Sequence, residues 1–268
     1  MNIFVMFLLV ILLTKFNLPL VLNFLKTNRL KTKNYRGELI PSGYGLILGL
    51  NLIIILIVGT LLAIYEPESS MRFIILILTM TLIGFIDDTL GEKEFKGFKG
   101  HCKAFFYQSR LTTGFLKMFF SFVIIFYLFF YWYFNLVAAL RAAFIVLLSA
   151  NLINLLDLRP GRALKAFLFL ASLILVFKGE LLFLGPSFIM ALFFLPIDLK
   201  AKAMLGDVGA NVLGAVLGMS FMLNSTIIEQ VIILFVLISI NLYAELYSLT
   251  TLISKNKLLN FVDKLGRT

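Results

Sequence analysis

Nine stretches of this chain are apolar for roughly the length a helix needs to cross a bilayer, near residues 2–24, 43–64, 71–86, 113–134, 136–156, 163–177, 181–197, 207–223 and 227–252. Lipid offers no partner to backbone N–H and C=O groups, so such stretches must be helices or the strands of a closed barrel. The apolar runs are continuous rather than alternating, which selects helices. With 61% hydrophobic and 14% charged residues and a mean hydropathy of +1.01, the chain carries more apolar surface than one aqueous core could hide. The expected fold is an all-α polytopic transmembrane bundle of about nine spans, a single integral membrane domain over residues 1–268. The first span lacks both a basic leader and a small-residue cleavage site, so it is expected to remain as a helix.

Cations orient such a bundle, because Lys and Arg are retained on the cytoplasmic side. Lys26, Arg29, Lys31, Lys33 and Arg36 lie in the first loop, and Lys93, Lys96, Lys99, Lys103 and Arg110 in the third. Arg159, Arg162 and Lys165 follow the fifth span, Lys200 and Lys202 the seventh, and Lys255, Lys257, Lys264 and Arg267 the last. Together they are nineteen of the 24 cations, which places the N-terminus outside and the C-terminus inside a cell membrane. Tyr131, Trp132 and Tyr133 then form an outer aromatic belt. The net charge of +10 is read as orientation and attraction to anionic lipid, not as nucleic-acid binding. Cys102 cannot form an intrachain disulfide, since it is the single cysteine.

The acids gather on the cytoplasmic face. Asp87 and Asp88 end the third span, Asp157 the fifth, Asp198 follows the seventh and Asp207 opens the eighth. Boundary carboxylates are costly unless paired, hydrated or bound to a cation, so five on one face mark a functional site. Asp87 and Asp88 are adjacent, about 100° apart around a helix, and so are expected to face different ligands. Gly206 and Gly209 flank Asp207 at a helix start, where free N–H groups and the helix dipole favour phosphate and glycine permits close approach. Asn151, Asn154 and Asp157 recur every third position as one polar stripe, and Arg159, Arg162 and Lys165 follow around a Pro-Gly turn. These three cations suit either phosphate recognition or a positive-inside loop. Lys15 and Glu245 are ionisable residues inside spans and are candidates for an ion pair.

In order along the chain, Ile40-Pro41-Ser42-Gly43-Tyr44-Gly45, Asp87-Asp88, Asn151-x-x-Asn154-x-x-Asp157 and Gly206-Asp207-Val208-Gly209 resemble motifs of the polyprenyl-phosphate N-acetylhexosamine-1-phosphate transferases. That family includes the phospho-N-acetylmuramoyl-pentapeptide transferases of peptidoglycan synthesis. The resemblance implies transfer of a sugar-1-phosphate from a UDP-sugar to polyprenyl phosphate at the cytoplasmic face, with release of UMP. It implies Mg²⁺ on Asp207 and Asp88, and Asp87, Asp88 and Asp207 as the catalytic acids. Substrate contacts would come from Asn151, Asn154, Asp157, Arg159, Arg162, Lys165, Gly206 and Gly209, with Lys33, Arg36 and Lys99 from the loops. The partners implied are the lipid phosphate, the nucleotide sugar and the membrane, with a homodimer one option for assembly.

An acceptor phosphate monoester has a second pKa near ~6 and is largely dianionic at neutral pH. Metal binding and positioning therefore rank above proton abstraction for Asp87 and Asp88. Leu158 and Pro160 stand where the family usually has Gly and a second Asp, Tyr44 replaces a glycine, and His101 is the only histidine, whereas a His-rich segment is common in the family. These departures define the alternative, a non-catalytic descendant that binds or moves polyprenyl lipids.

Overall fold

A computed structural model describes residues 2–91, 100, 104, 112–179 and 181–267. Lys93, Lys96, Lys99, His101, Cys102, Lys103 and Arg110 lie outside the described residues. The chain is built almost entirely of helices: α1 (Asn2–Thr27), α2 (Leu46–Leu61), α3 (Pro67–Leu90), α4 (Thr113–Tyr133), α5 (Leu136–Leu156), α6 (Arg162–Lys178), α7 (Leu184–Leu199), α8 (Gly206–Asn224) and α9 (Ile227–Leu246). Two short helices follow, α10 (Leu249–Lys255) and α11 (Lys257–Lys264). Among the described residues six helices, α1, α3, α4, α5, α8 and α9, are long and apolar enough to cross a membrane, and α2 and α7 are shorter apolar helices.

The fold is nearly all-α as expected, with two local departures. The first loop folds into an antiparallel hairpin of β1 (Lys31–Lys33) and β2 (Leu39–Pro41), with Thr32 opposite Ile40. Its turn is shaped by Asn34, whose side-chain oxygen accepts the N–H groups of Arg36 and Glu38 at 2.9 and 3.0 Å, and by Gly37 at φ 84°. Asn-initiated turns and left-handed glycine are local turn chemistry. The last apolar stretch, expected to run through residue 252, ends at Leu246 because Tyr247 is extended at φ −138°, ψ 156°. Ser248 then starts α10 by accepting the Thr251 N–H at 3.3 Å, and Asn256 starts α11 by accepting that of Leu259 at 3.0 Å. Each is an ordinary N-cap.

The bundle is organised around α8. Its most apolar window is 83% buried, against 11% for α9, so α8 is the core helix and α9 faces outward. The most extensive helix pair is α5 with α8, followed by α3 with α8. Close approach requires small residues: a Cβ on Gly218 would fall 2.6 Å from the Cα of Val146 in α5. At the end of α3 remote from Asp87, the Arg72 guanidinium lies 4.2 Å from the centroid of the Trp132 ring. Lys15 packs 5.9 Å over Phe193 of α7. It does not pair with Glu245, because α1 packs on α2 and α7 whereas α9 packs on α5.

Candidate active site

The start of α8 is where the separated motifs meet. Met204 donates its N–H to the Pro41 carbonyl at 2.8 Å and accepts that of Gly43 at 3.1 Å, and Gly45 donates to Leu205 at 3.0 Å. The segment before α2 is thereby laced to the segment before α8. Gly206 sits at their junction with φ 78°, and a Cβ there would stand 2.6 Å from Asp88 Oδ2 and 2.8 Å from the Gly43 Cα. Backbone conformation and space both demand glycine. Tyr44, in place of a family glycine, is fully buried edge-on to Phe194, with ring centroids 5.2 Å apart.

Asp88 of α3 accepts the N–H groups of Asp207 and Val208 at 2.9 and 3.0 Å, one on each carboxylate oxygen. Asp157 at the end of α5 accepts that of Gly206 at 3.1 Å. These carboxylates satisfy amides that a helix start leaves without partners. The expected open phosphate cradle at Gly206 is therefore corrected: its donors are engaged by Asp88 and Asp157. Gly209 likewise serves contact between the two laced segments, since its Cβ would meet the Gly45 Cα at 2.8 Å. Burial pushes the Asp157 carboxyl well above its ordinary pKa, and neighbouring Asp198 and Asp207 add to the rise.

Asp87 points elsewhere, as a neighbour on a helix must. Lys117, one turn into α4, donates to Asp87 Oδ2 at 2.7 Å and to Asp207 Oδ2 at 2.5 Å. Asn154 of α5 donates to the same Asp207 oxygen at 3.2 Å. Four helices thus contribute to one cluster, which remains open: the side chains of Asp87, Asp207 and Lys117 are 23%, 28% and 20% exposed. Lys117 is absent from the expected site residues. Its signal is a lysine inside an otherwise apolar span, a placement that demands a partner.

Asn151 does not join this cluster. It is exposed and donates to Asn241 of α9 at 2.6 Å, because steps of three residues drift around a helix of 3.6 residues per turn. Arg162 and Lys165 are also diverted. Arg162, 6% exposed, donates to both oxygens of Asp263 at 2.8 and 3.0 Å and to Thr250 at 2.9 Å. Lys165 donates to the carbonyls of Val262 and Asp263, both at 2.6 Å. A buried guanidinium requires a carboxylate partner, and a helix C-terminus offers unpaired carbonyls to a lysine. These two residues hold the C-terminal segment rather than a phosphate.

Beside Asp157 opens a cavity of about 530 Å³ whose lining includes Lys33, Tyr35, Arg159, Asp198 and Thr250. Arg159 reaches within 6.0 Å of the Tyr35 ring, placing a cation and an aromatic face together. Arg36 lies at the hairpin turn and donates to the Tyr35 hydroxyl at 2.8 Å. Asp198 accepts the Gly161 N–H at 2.7 Å and fixes the Pro-Gly turn.

One carboxylate oxygen of Asp87 and one of Asp207 converge on a single ammonium, so both lie within bonding reach of the same cation position. Hard oxygen donors of this kind fit Mg²⁺, which is commonly held by one or two carboxylates while water and phosphate complete its shell. No group of three or more His, Cys, Asp or Glu side chains is assembled at metal-ligand spacing among the described residues. Asp88 fits less well than Asp87, since both its oxygens already bind backbone amides.

Fold and site together define a helical membrane protein with a carboxylate–lysine cluster at one end of its most buried helix. No protein-family model matches the chain, and no curated protein matches it in sequence.

Proposed function

We propose that this protein transfers a sugar-1-phosphate, of N-acetylhexosamine type, from a UDP-sugar to a polyprenyl phosphate and releases UMP. The observation that carries this reading is the meeting of four sequence-distant motifs at the start of α8, where Asp87 and Asp207 share one cation. In the proposed topology nine helices span a cell membrane, with the N-terminus outside and the C-terminus and site at the cytoplasmic face. An isoprenoid acceptor stays in the bilayer while its phosphate meets a soluble nucleotide, so such chemistry belongs at this boundary.

Asp87 and Asp207 would hold Mg²⁺, which when bound neutralises phosphate charge and polarises the transferring phosphoryl group. Asn154 orients the Asp207 carboxylate, and Asp88 and Asp157 hold the start of α8 rigid beneath it. Lys117 balances the two carboxylates until Mg²⁺ takes the shared position, and its ammonium is then freed for the acceptor phosphate. Lys33, Arg159 and Tyr35 in the adjoining cavity bind the donor's phosphates and flat base.

A second reading, a lipid-binding protein without catalysis, is favoured by Lys117, whose ammonium already balances the two carboxylates. Incubating the purified protein with polyprenyl phosphate, Mg²⁺ and a panel of UDP-sugars separates the two. The transferase reading expects UMP release with at least one N-acetylhexosamine donor. Polyprenyl phosphate binding without UMP from any donor selects the second reading.

A further inference from the structure

We infer that α10 and α11 form an interfacial element that lies on the bilayer surface and engages anionic lipid headgroups. This inference needs only that the chain is a membrane protein and is independent of the proposed transfer reaction.

Helix α11 is docked the wrong way round for a water-soluble protein. Its one buried residue is charged: Asp263 is 8% exposed and bound by Arg162 and Arg267. Its apolar side faces out, with Leu258 70%, Phe261 65%, Leu265 57% and Val262 44% exposed. At 100° per residue Leu258, Phe261 and Val262 fall within one arc of about 100°, an apolar stripe that ends at the C-cap Leu265. In water such a stripe would be turned onto the core.

Two observations name the lipid surface as its cover. The pair follows in sequence directly from α9, whose Leu242 and Leu246 are 59% and 61% exposed and form an apolar surface of the kind lipid covers. Lys255, Lys257 and Lys264 are exposed, and Lys257 and Lys264 lie together beyond the Phe261 edge of the apolar arc. An apolar face edged by lysines is the pattern of helices that rest in the headgroup region of anionic membranes. The element is also tied to the site region. Thr250 of α10 lines the cavity and accepts from Arg162, and Arg267 donates to the Pro160 carbonyl at 3.2 Å.

Nitroxide labels test the placement in full-length protein reconstituted into phosphatidylcholine or phosphatidylcholine–phosphatidylglycerol nanodiscs. With Cys102→Ser as background, single cysteines replace Leu258, Phe261, Lys257 or Lys264 in turn; all four are exposed, so the fold is not at stake. The expected result is greater collision with oxygen than with a water-soluble nickel chelate at 258 and 261, and the reverse at 257 and 264. Immobilisation at 261 should increase with phosphatidylglycerol content, and Lys257→Glu combined with Lys264→Glu should abolish that dependence. Nickel accessibility at 258 and 261 equal to that at 257 overturns the inference. So does spin–spin broadening at 261, which would show a second copy of the chain covering the stripe, or immobilisation indifferent to phosphatidylglycerol.

Discussion

The Asp88 carboxylate caps the helix that carries Asp207, accepting the Asp207 N–H at 2.9 Å across from α3. Of two adjacent acids, one fixes the backbone of the site and the other, Asp87, reaches into it. Asp88→Ala should therefore act first on stability. Loss of hydrogen bonds to a charged acceptor costs about 1.5–3 kcal/mol each, reduced where water replaces it. Thermal unfolding in detergent should show a clearly lowered Tm, whereas an unchanged Tm with abolished turnover would move Asp88 from the scaffold to the substrate or metal.

Lys117 should compete with divalent cations for Asp87 and Asp207. Lys117→Met leaves two carboxylates facing one another, and removing one partner of a poorly hydrated ion pair costs about 3–5 kcal/mol when burial is complete. The partial exposure here makes the loss smaller. Because a ligand that binds only the folded state raises its stability, added Mg²⁺ should raise the Tm of Lys117→Met more than that of the unmodified protein. Equal Mg²⁺ shifts in both proteins would contradict a shared cation position.

The transmembrane character and the gathering of acids at one end were legible in the sequence, because lipid imposes length and apolarity on every span and penalises each boundary carboxylate. Partner choice was not. Arg162 and Lys165 follow a Pro-Gly turn just as phosphate-binding cations would, and nothing local reveals that residues 250–265 return to meet them. Lys117 carried the signal of a lysine inside an apolar span, but its partners are set only by the packing of α3, α4 and α8. The break after Leu246 had a local signal in the capping residues Ser248 and Asn256, masked by the apolarity around it.

Arg159 and Arg162, three residues apart, should give different phenotypes. Arg159→Ala is expected to raise the KM for the nucleotide sugar with little change in kcat, because Arg159 lines the cavity. Arg162→Ala removes a guanidinium that is 6% exposed and leaves Asp263 with Arg267 alone, so it should lower thermal stability and loosen the C-terminal segment. Steady-state kinetics and protease sensitivity of that segment, measured on both variants, distinguish the roles.

Acid should release the C-terminal segment. Burial opposes ionisation of Asp263, but Arg162 and Arg267 outweigh it and hold the carboxyl at about 2, below the ordinary 3.8. A carboxylate whose pKa is depressed by folding contributes stability above its unfolded value and loses it as pH falls through the folded one. Proteolysis near residue 263 should therefore be suppressed above about pH 4 and rise progressively towards pH 2. Asp263→Asn should lower protection at neutral pH and flatten this dependence.

The central claim, that Asp207 works in phosphoryl transfer, is tested most directly by UMP release from Asp207→Asn at saturating UDP-sugar, polyprenyl phosphate and Mg²⁺. Asparagine keeps the shape and removes the charge, so if Asp207 stabilises charge in the transition state, kcat should fall by roughly 10²-fold or more. Folding should be little affected, since the amides at the start of α8 are held by Asp88 and Asp157. An Asp207→Asn protein that folds normally and releases UMP at the unmodified rate would contradict both the metal assignment and the proposed reaction centre.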